Sequence, residues 1–383
     1  MQGLRCYSVS LCPVKRTTAE ALPPMPHIRE IQSRLGAWYD EHARPLPWRA
    51  DVSAYHVLLS EIILQQTRVD QGMSYYHRFT ERFPSVEDLA AASEDEVLLL
   101  WQGLGYYSRG RNLRRAAEII VSDFGGEIPR TLEELSRLPG VGPYTRGAIL
   151  SFAYDLPYPT VDGNVYRVLS RLFALSAPID TTTGQRLYWA VAEALLDRAH
   201  PGRHNQGLIE LGALCCLPRR PHCSECPLEP YCLAHRSGIE EELPIKQGKT
   251  KVLPRYMYYF LIRVTDEAGL SHILIHRRGE GDIWQGLYEF PLIETGEEGV
   301  EVEALMEQAS FHRLLSGLQE PRFHSAPIAR HAHRLSHRQI YASLFLIEAS
   351  GVDPSLPYRL IPESERGAYA FPILIERLLA QVR

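Results

Sequence analysis

The sequence predicts a two-domain protein, in which an all-α domain ending in a four-cysteine loop precedes a smaller α+β domain. Apolar residues recur every three or four positions across residues 27–235, as in Ile28, Ile31 and Leu35, which is the period of amphipathic helices. Near the end of this range, four cysteines fall within a short proline-rich segment that has no core of its own. Further on, runs rich in Tyr, Phe, Ile and Val, such as residues 256–265, indicate strands.

Size and composition bound the class of protein. With 383 residues, of which 45% are hydrophobic and 23% charged, the chain is expected to be globular and to bury large cores. No apolar run reaches the length of a membrane span, so no membrane association is expected. The formal net charge of −5 argues against a uniformly basic surface, although a local stripe can still bind phosphate. One basic cluster runs from Arg109 to Arg115. Taken alone, such a cluster is more often the solvated face of a helix than a binding site.

Four segments are predicted along the chain. Residues 1–26 carry clustered prolines and little periodicity, and are interpreted as a disordered tail, a transit peptide or sequence upstream of a start at Met25. Residues 27–235 would form the helical domain and 236–253 a mixed-charge linker. Residues 254–383 would form the α+β domain.

The cysteine loop is the strongest metal-site signal. Its spacing is C-x6-C-x2-C-x5-C, and the candidate ligands are Cys216, Cys223, Cys226 and Cys232. An all-sulfur set suits either a structural zinc ion or an iron–sulfur cluster, and the long gaps favour a four-iron cluster. Disulfides are the weaker alternative, because the total of seven cysteines is odd and the sequence shows no signal-peptide pattern.

A glycine-containing turn precedes a predicted helix. In the segment from Leu138 to Thr145, Gly140 and Gly142 permit a tight turn that side chains would block. Their amides and the following helix start form an anion nest, and L-P-G-V-G before a helix is the helix-hairpin-helix pattern that grips a DNA phosphate. The alternative is an ordinary interhelical turn, but the cysteine loop downstream favours DNA binding.

Two carboxylates occupy positions suited to catalysis. Asp162 opens a predicted helix, where amides and the helix dipole favour its charged form, and an anion there can stabilise a sugar cation. Glu61 stands in an apolar helical run, where burial would raise its pKa and keep a proton for donation. Taken alone, each is more often structural, as an N-cap aspartate or a salt-bridged glutamate.

Together these segments resemble the adenine DNA glycosylases of the MutY type, within the endonuclease III superfamily of helix-hairpin-helix glycosylases. The matching pieces, in order, are residues 46–49, 60–67, 103–109, 140–145 and 161–165 and the cysteine loop. The resemblance implies a 4Fe-4S cluster on the four cysteines. It also implies that adenine is flipped out of the duplex, that Glu61 protonates the base at N7, and that anionic Asp162 stabilises the oxocarbenium-like sugar or attacks it.

The resemblance assigns roles to further side chains. Endonuclease III-like enzymes carry a Schiff-base lysine where this chain has Tyr144, so a monofunctional enzyme that leaves an abasic site is expected. Tyr144 and Asn164 would support the sugar and the intermediate. The residues assigned to the adenine pocket are Leu46, Trp48, Arg49, Gln206 and Ile209. Gln66 and Tyr106 are assigned as wedges in the base stack, and Thr67 and Leu104 to the opposite base. The residues expected at DNA phosphates are Gly140, Gly142, Arg219 and Arg220.

The carboxy-terminal region resembles the MutT-like, or Nudix-like, lobe of this family, which reads 8-oxoguanine opposite adenine. Residues 284–291 match its tryptophan-containing segment, with Tyr288 in place of a second tryptophan. The glutamate cluster of hydrolytic Nudix enzymes is missing from the sequence after this segment, so binding without hydrolysis is expected. Ser336 and His337 match the lesion-reading loop, where Leu335 replaces the usual phenylalanine. The alternative for this histidine-rich stretch is a weak metal site or a surface loop.

The resemblance therefore implies double-stranded DNA containing A·8-oxoguanine or A·G mispairs as the partner. A monomer acting in the bacterial cytoplasm, without a membrane, is expected. Two alternatives remain open: a thymine- or oxidised-pyrimidine-specific glycosylase of the same superfamily, and a DNA-damage-binding protein without catalysis. A free-nucleotide hydrolase is a weaker interpretation because of the missing glutamates.

Overall fold

The structure is a computed structural model that describes residues 22–50, 52–248, 252–296, 300 and 302–382. The chain packs as two units, each described by itself. The cysteine unit comprises the residues up to Arg44 together with Asp155–Gln247, and the sheet unit comprises Pro45–Tyr154 and Gly248–Arg383. Both units contain part of the helical region. Most of the predicted tail, residues 1–21, lies outside the described residues, as do residues 249–251 of the predicted linker.

The first two thirds of the described chain are helical, as predicted. The helices are α1 (Ile28–His42), α2 (Pro47–Ala50), α3 (Ala54–Leu64), α4 (Val69–Arg82), α5 (Val86–Ala91), α6 (Glu94–Trp101), α7 (Ser108–Phe124), α8 (Leu132–Leu135), α9 (Pro143–Ala148), α10 (Gly163–Leu172), α11 (Thr182–Leu195), α12 (Pro201–Leu214) and α13 (Leu233–Ser237). A π-helical segment, Ile149–Ala153, continues α9, and 3₁₀ turns occupy Cys223–Glu225 and Glu229–Tyr231. Within the described ranges, every helix is too short or too polar to cross a bilayer.

Side-chain caps explain where many helices begin. Ser53, Ser85, Ser93, Thr131 and Thr181 each accept a hydrogen bond from a backbone N–H of the first turn of the helix that follows. These caps satisfy amides that have no partner inside the helix. Helix starts are therefore encoded locally, and this is why the helical pattern could be read from the sequence.

The core of the cysteine unit is formed by α1, α10, α11 and α12. Leu35, Val165 and Leu208 are buried at its centre, and the buried Tyr188 places its hydroxyl 3.2 Å from the carbonyl oxygens of Leu175 and Ala177. Three of the four loop cysteines pack against this core from one side. The cysteine loop therefore packs against one side of the helical core of this unit.

The sheet unit carries the α+β fold that the sequence predicts. Its strands are β1 (Leu253–Thr265), β2 (Ser271–Arg277), β3 (Tyr288–Glu289), β4 (Leu292–Thr295), β5 (Leu318–Gln319), β6 (Arg322–Phe323), β7 (Ala329–Arg334), β8 (Arg338–Ala349), β9 (Gly351–Val352) and β10 (Arg359–Pro362). The main sheet has the order β10-β2-β1-β8-β6, with β3, β4 and β7 added at β2, β1 and β8. The long β1 and β8 pair in parallel, and the other pairs are antiparallel.

Helices cover both faces of this sheet. The helices are α14 (Val302–Met306), α15 (Ala309–Ser316) and α16 (Ile373–Leu379). Alternate residues of β1 belong to different cores, with Met257 and Tyr259 on the α16 side and Tyr258 and Phe260 on the α15 side. The long apolar run in β1 follows from this arrangement, because a strand covered on both faces buries every residue.

Candidate functional site

Glu61 lies on α3 of the sheet unit, in the apolar surroundings that its sequence context predicts. Its side chain is 8% exposed, and the helix is buried almost continuously from Tyr55 to Ile63. The helix begins at Ser53, whose hydroxyl accepts from the His56 amide at 3.1 Å. A carboxyl in this position is held rigidly by a helix whose whole length is anchored in the core.

The glycine turn and α9 lie directly beside the end of α3. Gln65 donates to the Thr145 hydroxyl at 3.2 Å and to the Gly140 carbonyl at 3.4 Å. Gly140 has φ of 78°, and an added Cβ would lie 3.0 Å from the Asn112 Cβ, so only glycine fits there. Gly142 caps α9 with open space around its α-carbon, and Tyr144 is half-buried on the first turn of that helix. The turn therefore presents exposed backbone, as an anion nest requires.

The four residues assigned to the base stack and the opposite base are brought together by Arg109. Its buried guanidinium donates to the Ile63 carbonyl at 2.8 Å, to the Gln65 carbonyl, and to the Thr67 hydroxyl at 3.3 Å. It also donates to the carbonyls of Leu104 at 3.4 Å and Gly105 at 3.1 Å. The turns after α3 and before α7 are thus joined through one side chain. The interpretation of this arginine as part of a solvated helix face is wrong, because it is only 8% exposed.

The wedge candidates sit on strained backbone in these turns. Gln66 has φ of 55° and Tyr106 has φ of 47°, a region that residues other than glycine seldom adopt. Tyr106 is 48% exposed, although it is a large aromatic side chain. Leu104, by contrast, is buried. Backbone strain that the surrounding structure enforces is typical of functional sites, and it supports the assignment of Gln66 and Tyr106 to a surface that contacts a ligand.

The pocket candidates at and just before α2 fall into two groups. Leu46 and Arg49 line an open pocket of about 480 Å³, together with Met73 and His77 of α4. Trp48 does not line this pocket but is buried against the edge of Tyr76, with ring centroids 5.0 Å apart. The Trp48 ring is therefore turned into the core, and Trp48 contributes to the packing beneath the pocket.

Asp162 caps α10 in the cysteine unit. One carboxylate oxygen accepts from the Val165 amide at 2.8 Å, and the other accepts from the Asn164 side-chain amide at 2.8 Å. Asp162 is thus an N-cap and at the same time keeps a fixed orientation. The hydrogen bonds from Val165 and Asn164 lower the pKa of Asp162, as its place at the helix start predicts, but loss of hydration raises this pKa by more, so its net shift is upward.

A chain of hydrogen bonds leads from Asp162 to the cysteine loop. The Asn164 side-chain oxygen accepts from Arg167 Nη2 at 2.9 Å, and Arg167 Nε donates to the Cys216 carbonyl at 2.7 Å. Gly212 of α12 allows this close packing, since a Cβ there would lie 2.6 Å from the Asn164 Cβ. The orientation of Asn164, and through it that of Asp162, therefore depends on the position of the first loop cysteine.

Two pocket candidates lie on α12 of the cysteine unit, close to an ion pair that the sequence did not predict. Gln206 accepts from the Tyr39 hydroxyl at 3.1 Å, and both Gln206 and Ile209 are half-buried. One turn after Gln206, the fully buried Glu210 accepts from Arg44 Nε at 2.6 Å and Nη2 at 3.0 Å. The only sequence signal was a glutamate among apolar residues of α12, and nothing local connects it to an arginine 166 residues away.

The four loop cysteines fit a metal centre. Their thiols line one small pocket, and none of the five cysteines in the described residues is in a disulfide. Loss of hydration raises the pKa of Cys216 and of Cys232, so thiolates in this pocket require a nearby positive charge. Arg171 supplies part of it by donating to Cys216 Sγ at 3.3 Å, and a bound metal would supply the rest.

Arg171 also fixes the path of the loop. It is 2% exposed, and it donates to the carbonyls of Leu217 at 2.6 Å, Pro218 at 3.1 Å and Leu243 at 3.1 Å. Cys215, at the end of α12, is buried in the core and remains a packing residue that borders the pocket. Arg219 and Arg220 are exposed on the loop, and the backbone amide of Arg220 donates to Glu241 at 2.8 Å.

The lesion-reading candidates lie in the turn between β7 and β8. Ser336 and His337 are both exposed, and Ser336 Oγ lies 3.2 Å from His337 Nδ1. Leu335 packs against the core on the α16 side and its amide donates to the Arg338 carbonyl at 2.8 Å. Leu335 thus closes the turn, and its side chain points away from the exposed pair. Glu297 and Glu298, which follow the Nudix-like segment, lie outside the described residues.

Tyr288, which replaces a tryptophan of the family pattern, contacts the helical part of the unit through its hydroxyl group. Its hydroxyl donates to Asp95 of α6 at 3.0 Å. Arg277, its partner in the β2–β3 pair, contacts Asp95 at 2.9 Å and Glu94 at 2.8 Å. The helical and sheet parts of this unit are therefore joined by charged contacts at the start of α6.

Both parts of the chain match known families. Residues 59–191 match the family described as HhH-GPD superfamily base excision DNA repair protein, and residues 258–381 match the NUDIX domain. Among solved structures, a thermostable thymine-DNA glycosylase is similar, with 27% identity and a TM-score of 0.51 over 55% of this chain and 97% of that chain. These matches confirm a helix-hairpin-helix glycosylase fold followed by a Nudix fold.

Curated relatives are adenine DNA glycosylases. The human protein is 44% identical over 273 residues, which cover 69% of this chain and 49% of that protein. The protein of Buchnera aphidicola subsp. Baizongia pistaciae is 36% identical over 255 residues, which cover 66% of this chain and 71% of that protein. The chain spans about half the length, or less, of the mammalian relatives that it matches. At this identity and coverage, the chain belongs to the adenine DNA glycosylase family.

Proposed function

We propose that the protein removes adenine from duplex DNA in which adenine is mispaired with 8-oxoguanine or guanine, and that it leaves an abasic site. The observation that carries this proposal is the fixed carboxylate of Asp162, held by Val165 and Asn164 at the start of α10. A buried Glu61 on α3 provides the second carboxyl group. Two carboxyl groups with separate tasks are what hydrolysis of a glycosidic bond requires.

The proposed reaction begins with a flipped adenine. Glu61 gives a proton to N7, and the electron pair of the glycosidic bond leaves with the base. Asp162 stabilises the positive charge that develops on the sugar, water adds to C1′, and the proton of that water is released to a carboxylate. Asn164 keeps the Asp162 carboxylate turned toward the sugar by its 2.8 Å hydrogen bond.

The absence of strand cleavage is proposed from Tyr144. A phenol cannot form a Schiff base with the sugar, whereas the lysine of bifunctional relatives can. Tyr144 stands on the first turn of α9, next to the glycine turn that we propose as a phosphate-binding nest. The abasic product would therefore stay intact until alkali or heat is applied.

We propose a 4Fe-4S cluster on Cys216, Cys223, Cys226 and Cys232. Bound there, it would supply a rigid centre that closes the loop. The chain itself then holds Arg219 and Arg220 at the surface, where they would neutralise DNA phosphates. Ser336 and His337 would contact the 8-oxoguanine from the sheet unit, and the protein would act as a monomer.

A mispair series tests the function. Single-turnover base release would be measured on A·8-oxoguanine, A·G and T·G duplexes, with and without alkali. We expect release from the two adenine duplexes and strand breaks only after alkali. The T·G duplex is included because the similar solved structure is a thymine-DNA glycosylase. Faster release of thymine would establish that alternative, and binding without any release would establish a non-catalytic damage-binding protein.

A further inference from the structure

The hairpin formed by β7 and β8 is a basic region in an acidic protein. Between Glu320 and Glu348 the sequence has four arginines, four histidines and no acidic residue, whereas the whole chain has a formal net charge of −5. Only the turn of this hairpin, with Ser336 and His337, is used by the proposed function. One face of its strands packs on the α16 side, and the residues of the opposite face at β7 are exposed.

The register of the hairpin separates its basic residues onto two faces. Ala332 pairs with Tyr341, and neighbouring positions of a strand alternate between the faces. His331 and His333 therefore face the α16 side, where both lie near Arg377. The opposite face carries Arg330, Ala332 and Arg334, which are all exposed, beside Tyr341, which is 42% exposed.

An aromatic stack on that face ends at Ala332. Tyr256 of β1 pairs with Tyr341 of β8, and their rings are stacked with centroids 5.3 Å apart and planes 12° apart. The next position in the same row across the sheet is Ala332, whose methyl group is too small to cover the second face of the Tyr341 ring, and Tyr341 is 42% exposed. Among the strands that the structure describes, β7 pairs with β8 alone, so this slot opens at an edge of the sheet.

Two arginines flank the slot. Arg330 and Arg334 lie on the same face as Ala332, one before it and one after it, and four residues of strand separate them by roughly 13 Å. Neither makes an ion pair within the described part of the chain. An exposed aromatic ring between two unpaired cations is complementary to single-stranded DNA, because each base of a strand lies between two phosphates.

We propose that this face binds single-stranded DNA, with one base stacked on Tyr341 above Ala332 and neighbouring phosphates held by Arg330 and Arg334. A base inside a duplex is already covered on both faces by its neighbours, so only an unpaired base can use the open face of the ring. This site goes beyond adenine excision and does not depend on Ser336, His337 or either catalytic carboxyl group.

Binding of a fluorescein-labelled oligodeoxythymidylate to the full chain, measured by fluorescence anisotropy, tests the proposal. Tyr341→Ala removes the stacking wall and Ala332→Phe fills the slot with a ring, and we expect either change to weaken binding by about tenfold. Replacing Arg330 and Arg334 by glutamine should lower the salt dependence, the slope of log affinity against log salt, by about 1.4, at about 0.7 for each phosphate.

Matched controls lie in the same region of the protein. Leu270→Ala removes an apolar side chain that is 62% exposed, and Arg313→Gln removes an exposed arginine of α15, and neither should change the affinity. Unfolding temperatures establish that each variant is folded, and Ala332→Phe keeps the test valid if Tyr341→Ala is unstable. Wild-type affinity of folded Ala332→Phe would overturn the proposal.

Two further outcomes are decisive. Competition by thymidine monophosphate as strong as that by the oligonucleotide would assign the slot to free nucleotides and overturn the proposal of a DNA strand. Photocrosslinking of a strand containing 5-iododeoxyuridine should modify Tyr341, and crosslinks confined to other regions would also contradict it. The probe contains no adenine, so its binding is independent of the proposed excision. If the protein bound the probe through this slot but released no adenine from the mispaired duplexes, only the proposed excision would be overturned.

Discussion

At the scale of single residues, burial shifts the pKa of the carboxyl group that the proposed mechanism needs as an anion. Asp162 has the helix start and the hydrogen bonds that favour an anion, but loss of hydration still raises its pKa. The rate of base release should therefore fall at a higher pH than it would with an ordinary aspartate.

The pH dependence of excision tests this point. Because the pKa of Asp162 is raised above its ordinary value, base release should decrease as the pH falls through that raised value. Asn164→Ala removes a hydrogen bond to the carboxylate and should move the decrease to still higher pH. The measurement is the single-turnover rate against pH for both proteins. A decrease at the same pH in the variant would contradict the account.

His204 predicts a pH dependence of stability in the cysteine unit. It is 4% exposed, both ring nitrogens lack a hydrogen-bond partner among the residues that the structure describes, and burial lowers its pKa to about 4. The unfolded chain takes up this proton near pH 6.5, whereas the folded chain does so only near pH 4, so stability is lost between these values as the pH falls. The loss would be about 3 kcal/mol at most.

Urea unfolding at pH 7.5 and pH 5 measures this effect. His204→Phe should remove the part of the pH dependence that the buried ring causes, and His200→Phe, at an exposed position of the same segment, should leave it unchanged. Equal pH dependence in wild type and His204→Phe would mean that the ring is hydrated or partnered in solution.

At the scale of elements, one arginine joins the two turns that carry the wedge candidates. Arg109 of α7 accounts for the positions of Gln66, Thr67, Leu104 and Tyr106 because it binds the carbonyls of both turns. The left-handed φ angles of Gln66 and Tyr106 are maintained by these contacts. The wedge surface is therefore a property of α3, α7 and their connections, more than of any one side chain.

Arg109→Met tests this arrangement. We expect it to destabilise the protein by about 2–4 kcal/mol, since several buried carbonyls lose a charged donor. In a bound duplex with 2-aminopurine at the adenine position, the fluorescence increase that reports unstacking should also be lost. Arg115→Met, on an exposed position of α7, is the control for both measurements. Normal unstacking by a folded Arg109→Met would disprove the positioning role.

Elements could be predicted where their signals are local. The caps at Ser53, Ser93 and Asp162, the glycines of the turn before α9 and the cysteine spacing all act within a few residues. Side-chain partners distant in sequence could not be predicted. Arg109 has the same sequence appearance as the exposed Arg115 of the same helix, and the inward rotation of Trp48 depends on packing against Tyr76.

At the scale of the whole molecule, topology was the least predictable property. The parallel pairing of β1 with β8 joins segments about eighty residues apart, and the Arg44–Glu210 pair joins still more distant ones. Hydrophobic periodicity gives no information about such partners. The order of the domains and their fold classes could be predicted, because they depend on composition and periodicity along continuous segments.

DNA affinity is also a property of the whole molecule, since it sums phosphate contacts. Replacing Arg219 and Arg220 by glutamine should weaken duplex binding and lower the slope of log affinity against log salt by about 1.8, at about 0.9 for each phosphate. The rate of base release from bound complex should change little. Anisotropy titrations over a range of salt, combined with single-turnover rates, measure both. A large loss in the bound rate would show that the loop takes part in the chemistry.

The most direct test of the central claim is single-turnover release of adenine from an A·8-oxoguanine duplex by Asp162→Asn. The variant keeps the size of the side chain but has no charge to stabilise the sugar cation. We predict that release falls by at least about a hundredfold. Duplex binding should stay close to that of the wild type, and Asp180→Asn, elsewhere in the cysteine unit, should release adenine normally. Full-rate release by Asp162→Asn would contradict the account.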